Sequence, residues 1–71
     1  MTLLQRRVLE ALRDGGPASR QEMRARLDAP SSAITRAMRR LGWPLKYAAC
    51  SLEDSRYSIT PAGRAALEDE G

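Results

Sequence analysis

Residues 28–41 read Asp28-Ala29-Pro30-Ser31-Ser32-Ala33-Ile34-Thr35-Arg36-Ala37-Met38-Arg39-Arg40-Leu41. How this segment divides between core and solvent sets the interpretation of the rest of the chain. At about 100° per residue, Ile34, Ala37, Met38 and Leu41 share one apolar sector of a helix. Ser32, Thr35, Arg36, Arg39 and Arg40 fall on the other side, with no acidic residue among them. Such a helix can rest on a core and still offer donors to phosphates and base edges. Taken alone, the stripe equally suits the solvated face of an ordinary surface helix, so the flanking segments must decide.

Working back toward the N-terminus, Ser19 and Glu22 form a capping-box pattern. It predicts a short helix over about 20–27, with Met23 and Leu27 one turn apart on its inner side. Asp28-Ala29-Pro30 is the turn, because Asp tolerates left-handed backbone and Pro suits the start of a helix. Ser31 or Ser32 is then the expected cap of the third helix, which runs to Leu41. Further upstream, Thr2 and Gln5 form another capping box and start a helix near Leu3. Leu4, Val8, Ala11 and Leu12 make its buried stripe. Leu3 and Leu9 fall off that stripe and are expected to be free for contact with a second copy. Asp14-Gly15-Gly16-Pro17 ends the helix. The glycine pair follows no strand and precedes no Gly-Lys-Ser/Thr, so it reads as a turn and not as a phosphate loop.

Toward the C-terminus, Gly42 ends the third helix and Pro44 keeps the chain from resuming it. The pattern then changes to period two, which predicts a hairpin over about 45–51 and 56–60. Pairing Leu45 with Ile59 and Tyr47 with Tyr57 would gather the larger side chains on one face. Glu53-Asp54-Ser55 supplies the turn. Thr60-Pro61 reads as a cap followed by proline at the first helical position. It opens a last helix to about Leu67, with Ala66 and Leu67 packing and an acidic end expected to fray.

At 71 residues the chain makes one small domain, and 42% apolar content without Phe calls for an aliphatic core. No apolar run approaches a membrane span. The first helical stretch carries Arg6, Arg7 and Glu10, so it does not read as a signal peptide, and a cytoplasmic protein is expected. Without His the chain lacks the commonest general base and metal ligand. Cys50 is the single cysteine, has no His to activate it, and suits a small buried or hairpin position. Glu53 and Asp54 read as solvated turn residues in preference to an acid/base pair. So small a domain also offers little room for a deep pocket. A non-enzyme without cofactor or metal is the expectation. Positive charge is concentrated in residues 20–46, where seven basic and two acidic residues leave +5 of the net +3, offset elsewhere by the acidic tail. That distribution suits a polyanionic partner. Trp43 could stack on a base or a partner, or pack under the hairpin.

The order helix, helix, turn, helix, hairpin, helix resembles a winged helix-turn-helix domain over nearly the whole chain. Ser19–Leu27 and Ser31–Leu41 resemble the two helices of MarR-type and related small bacterial or phage transcriptional regulators. Tyr57-Ser-Ile-Thr-Pro-Ala-Gly63 resembles the second wing strand and following helix start of that group. Leu41-Gly-Trp-Pro-Leu45 is closer to small winged-helix modules in which Gly-Trp-Pro leads into the wing. The sequence departs from the pattern at Asp28, where Gly is common, and at Ala29, where a larger apolar residue is common. It departs again at Arg20 and Arg24, where small or apolar residues are usual, and the extra dimerisation helices of MarR-type proteins have no counterpart.

The resemblance implies an α+β, mainly α fold with three helices, a two-stranded wing and a short C-terminal helix. It implies a nucleoid-associated, sequence-specific binder of double-stranded DNA; because one recognition helix reads only a few base pairs, a homodimer or two copies on adjacent half-sites is expected. The third helix, with Ser31 at its start, would enter the major groove. Ser32, Thr35, Arg36 and Arg39 would face bases and nearby phosphates, and Arg40 and Lys46 phosphates. Arg20 would reach phosphate from the edge, and Arg56 would lie beside the wing tip at the backbone or minor groove. The alternative is a winged helix used for protein contact within a larger assembly. RNA binding is a third reading, but no aromatic-rich strand platform is visible.

Overall fold

In the computed structural model, which describes residues 1–70, six elements follow in the order α1 (Leu3–Gly15), α2 (Arg20–Arg26), α3 (Ser31–Gly42), β1 (Ala48–Cys50), β2 (Tyr57–Ile59) and α4 (Pro61–Glu70). The fold is therefore α+β and mainly α. Both expected capping boxes form. The Thr2 hydroxyl accepts from the Gln5 amide at 3.1 Å while the Gln5 side chain accepts from the Thr2 amide. Ser19 and Glu22 do the same at the start of α2. Gly16 ends α1 with φ +80°, a left-handed conformation that glycine adopts without steric cost.

α3 differs at its start. Pro30 holds the cap position and no side chain bonds the first turn, so neither Ser31 nor Ser32 caps the helix. The first intrahelical bond runs from the Ile34 amide to the Pro30 carbonyl at 3.1 Å. A serine caps only from extended backbone, and here both serines are already helical. At its other end the helix includes Gly42 and yields to Trp43.

The core is aliphatic. Ile34, Met38 and Leu41 are fully buried, with Ala37 beside them, so the expected apolar sector of α3 faces inward. Val8, Leu9, Leu12, Met23, Ala18, Ala48 and Leu67 complete the core, and Leu4, Ala11, Leu27, Tyr47, Tyr57 and Ile59 pack around it. Leu9 corrects the expected stripe of α1. α1 touches α2, α3, α4 and β2, so a helix enclosed on several sides buries a wider arc than an amphipathic surface helix does. Leu9 therefore cannot meet a second copy, whereas Leu3 is 67% exposed.

The hairpin register is also corrected. Ala48 pairs with Ile59, Ala49 with Ser58 and Cys50 with Tyr57. Residues 45–47, which the alternation assigned to a strand, bond back to the last turn of α3 instead. The Leu45 and Tyr47 amides donate to the Arg40 and Leu41 carbonyls at 3.3 and 2.8 Å, and Lys46 takes φ +58°. Relative to the expected pairing, the offset is odd and exchanges the two faces of the strand. Ala48 is the buried residue of β1, while Ala49 and Cys50 are exposed. A pairing absent from the sequence reading completes the sheet: the amide and carbonyl of Ala18 bond those of Tyr57 at 3.0 and 2.8 Å.

Thr60 caps α4 as expected and does more. Its hydroxyl accepts from the Gly63 amide at 3.0 Å and donates to the Lys46 carbonyl at 2.9 Å. The helix continues past Leu67 through Glu68 and Asp69 to Glu70, beyond its expected end; Gly71 lies outside the described residues. Ala66 is half-buried and Leu67 buried. Gly63 lies so close to the hairpin that a Cβ there would overlap the Tyr47 carbonyl oxygen. Helix propensity alone would make Gly63→Ala stabilising by about 1 kcal/mol. The overlap should reverse the sign and destabilise by about 1–3 kcal/mol, read from denaturant midpoints; a stabilised variant would disprove the close packing.

Candidate nucleic-acid interface

Burial of one side of α3 fixes what the other side presents. Ser31, Ser32, Thr35, Arg36, Arg39, Arg40 and Trp43 line one open groove of about 490 Å³ along the helix. All are exposed except Thr35, which is half-buried. No carboxylate lines the groove, and none forms an ion pair with Arg36, Arg39 or Arg40 among the described residues. At the helix start the amides of Ser31, Ser32 and Ala33 precede the first intrahelical bond and have no side-chain cap. Uncapped amides and the positive end of the helix dipole favour an anion there. Because the serine hydroxyls are not spent on capping, they too are available.

The other expected contact residues do not join this groove. Arg20 is exposed at the first position of α2. Lys46 connects to the groove through Trp43, its ammonium standing 5.0 Å from the indole centroid. Arg56 is exposed as expected, but its Nε lies 3.2 Å from the Glu22 carboxylate. The turn beyond it carries exposed Glu53 and Asp54. Asp54 accepts from the Arg56 amide at 3.1 Å, a turn role as the sequence suggested. Acidic residues at this tip disfavour close approach to phosphate.

The structure decides between the two readings of Trp43 and gives Arg26 a role that the sequence reading missed. Trp43 is 69% exposed, which removes it from packing under the hairpin. A signal was available, since Trp43 follows Arg36 by seven residues, or two helical turns, and so shares its sector. Arg26, one of the basic residues in the central cluster, donates to the Ala11, Gly15 and Gly16 carbonyls at 3.4, 3.2 and 3.0 Å. It caps the C-terminal end of α1, where a cation is favoured. No periodicity marks that contact.

Among the described residues no group of His, Cys, Asp and Glu could hold a metal ion, and no helix is long and apolar enough to cross a membrane. Comparison with protein-family models, curated proteins and solved structures gives no match.

Glu22 joins α2 to the hairpin. The hydrogen bond from the Ser19 amide holds its carboxyl below the ordinary value of 4.5; partial desolvation opposes this, and the charges of Arg56 and Arg26 support it. A depressed folded-state pKa means that stability from this group is present above the unfolded value and lost as pH falls through the folded one. Glu22→Gln keeps the capping geometry and removes the charge. The variant should melt below the wild type at neutral pH, and the gap should close on acidification below about 4.5. Thermal unfolding followed by circular dichroism across pH tests this, and a gap independent of pH would exclude the charge.

Proposed function

We propose that this protein is a sequence-specific double-stranded DNA-binding protein of the winged helix-turn-helix class, acting as a small bacterial or phage transcriptional regulator. α2, the turn and α3 would form the helix-turn-helix, and β1–β2 the wing. One observation carries the reading: three arginines and three hydroxyl residues line a single groove of α3 without a carboxylate. α3 enters the major groove, where Ser32, Thr35, Arg36 and Arg39 face bases and adjoining phosphates. Ser31 and the uncapped first turn take a phosphate, and Arg40 and Lys46 add charge at the other end. The wing reaches the backbone or minor groove through Arg56 alone, which exchanges Glu22 for phosphate against the repulsion of Glu53 and Asp54. The reading includes no catalysis and no cofactor.

One recognition helix reads few base pairs, so the protein acts as a homodimer or as two copies on half-sites about one helical turn apart. Leu3 is the exposed apolar residue of α1 left for such a contact. Native mass measurement should give two copies on the selected duplex; one copy on a single short half-site would exclude pairing.

A second reading has its own observation. Leu52 at the hairpin tip, 96% exposed beside Glu53 and Asp54, would be the apolar contact for a protein partner in a larger assembly. Stable complex formation lost on Leu52→Ser, without measurable duplex binding, would favour it.

Selection of bound duplexes from a random pool, followed by affinities at several salt concentrations, tests the DNA reading. Arg36 lies at the middle of the polar sector and can bond guanine O6 and N7 through two donors, a geometry lysine lacks. Arg36→Ala should leave folding nearly unchanged. It should weaken the selected site by about 1–3 kcal/mol and relax one base position, with a smaller loss on a scrambled duplex. Arg36→Lys should restore charge but not base preference. Equal losses on the two duplexes would reduce Arg36 to a phosphate contact.

A further inference from the structure

The chain leaves α3 through Gly42-Trp43-Pro44, and backbone bonds fix Trp43 on both sides. Its amide donates to the Arg39 carbonyl at 2.9 Å, and the next residues bond back to Arg40 and Leu41. Its backbone is extended, with φ −155° and ψ 131°. The indole is thereby held out from the end of α3 while remaining 69% exposed. The Lys46 ammonium stands over the ring. With that cation at the ring and 69% of the residue exposed, indole surface is left for a planar ligand. The same groove holds Arg36, Arg39 and Arg40. An aromatic face bordered by cations, with no carboxylate lining the groove, is the combination that stacks a nucleobase and neutralises its phosphate.

In an intact duplex both faces of each internal base are already stacked. Within the duplex the indole therefore gains a base only where one has left the stack. We infer that Trp43 receives an unpaired nucleobase next to the duplex held by α3, so that the protein prefers a junction of double-stranded and single-stranded DNA to a blunt duplex. This inference rests on the reading of α3 as a duplex-binding helix. Lys46 has two roles in it: it supports the ring from one side and attracts the phosphate that follows the stacked base. Trp43 is thus a specificity residue for DNA structure, while Arg36 reads sequence.

Trp43 is the sole tryptophan, so its emission reports the site directly. Three probes suffice: a blunt duplex, the same paired sequence with a short single-stranded extension, and the extension strand alone. The extended duplex should quench the emission and bind about tenfold more tightly than the blunt one. Trp43→Ala should bring the ratio of the two affinities to one. Trp43→Phe, which retains an aromatic face, should recover part of it. Equal affinity for blunt and extended duplexes with unchanged emission would overturn the inference and leave the duplex reading standing. Quenching by the single strand with no binding to the blunt duplex would retain the stacking face but overturn both the junction preference and the duplex reading. No quenching by any probe and no duplex binding would overturn both readings. A change of emission only with a protein partner would assign the indole to protein contact and overturn the inference.

Discussion

Packing of Ile34, Ala37, Met38 and Leu41 into the core sets the rotation of α3 about its own axis. Burying each large apolar side chain contributes about 1.5–3 kcal/mol, so turning the helix by one residue would expose several of them. That constraint is much stronger than any preference of the arginines, which lose little wherever they meet water. Arg36, Arg39 and Arg40 consequently face outward because their neighbours cannot. Core and groove are two sides of the same helical periodicity.

Position of the hairpin depends on a different kind of contact. Tyr57 bonds Ala18 through both backbone groups, Thr60 bonds Lys46 and Gly63, and Gly63 leaves space for the Tyr47 carbonyl. A two-stranded hairpin is marginal on its own in water. Here its edge is satisfied by the α1–α2 connection, its base is tied to the start of α4, and Glu22 holds Arg56 from α2. The hairpin is therefore placed by the helices around it, which accounts for its short strands of three residues each.

The arginines are not equivalent. Arg13 pairs with Asp14, Arg6 with Glu10 and Arg56 with Glu22, while Arg26 caps α1. Exposed ion pairs such as these contribute little to stability, but they divide the cations into those with local partners and those without. In the α3 groove, three arginines lie together without an acidic partner among the described residues. That clustering supports nucleic-acid binding more directly than the net charge does, because a polyanion meets local potential and not an average.

Local chemistry was legible in the sequence. Two capping boxes, the glycine stop after α1, the apolar sector of α3 and the Thr60-Pro61 start of α4 all involve residues within one or two helical turns. Their geometry follows from nearby side chains and helical pitch. The mainly helical order with a hairpin came from the same signals, and so did the solvent-facing arc of Ser32, Thr35, Arg36, Arg39 and Arg40. Contacts across the chain were decided by tertiary structure. The Ala48–Ile59 register depends on how Leu45 and Tyr47 bond back to the end of α3, which alternation cannot count. Leu9 became core because α1 is enclosed. Ala18 met Tyr57, Arg26 met α1 and Glu22 met Arg56 only when folding joined distant segments. Pattern fixes which face an element buries, but closing the chain decides which partner covers it and in what register.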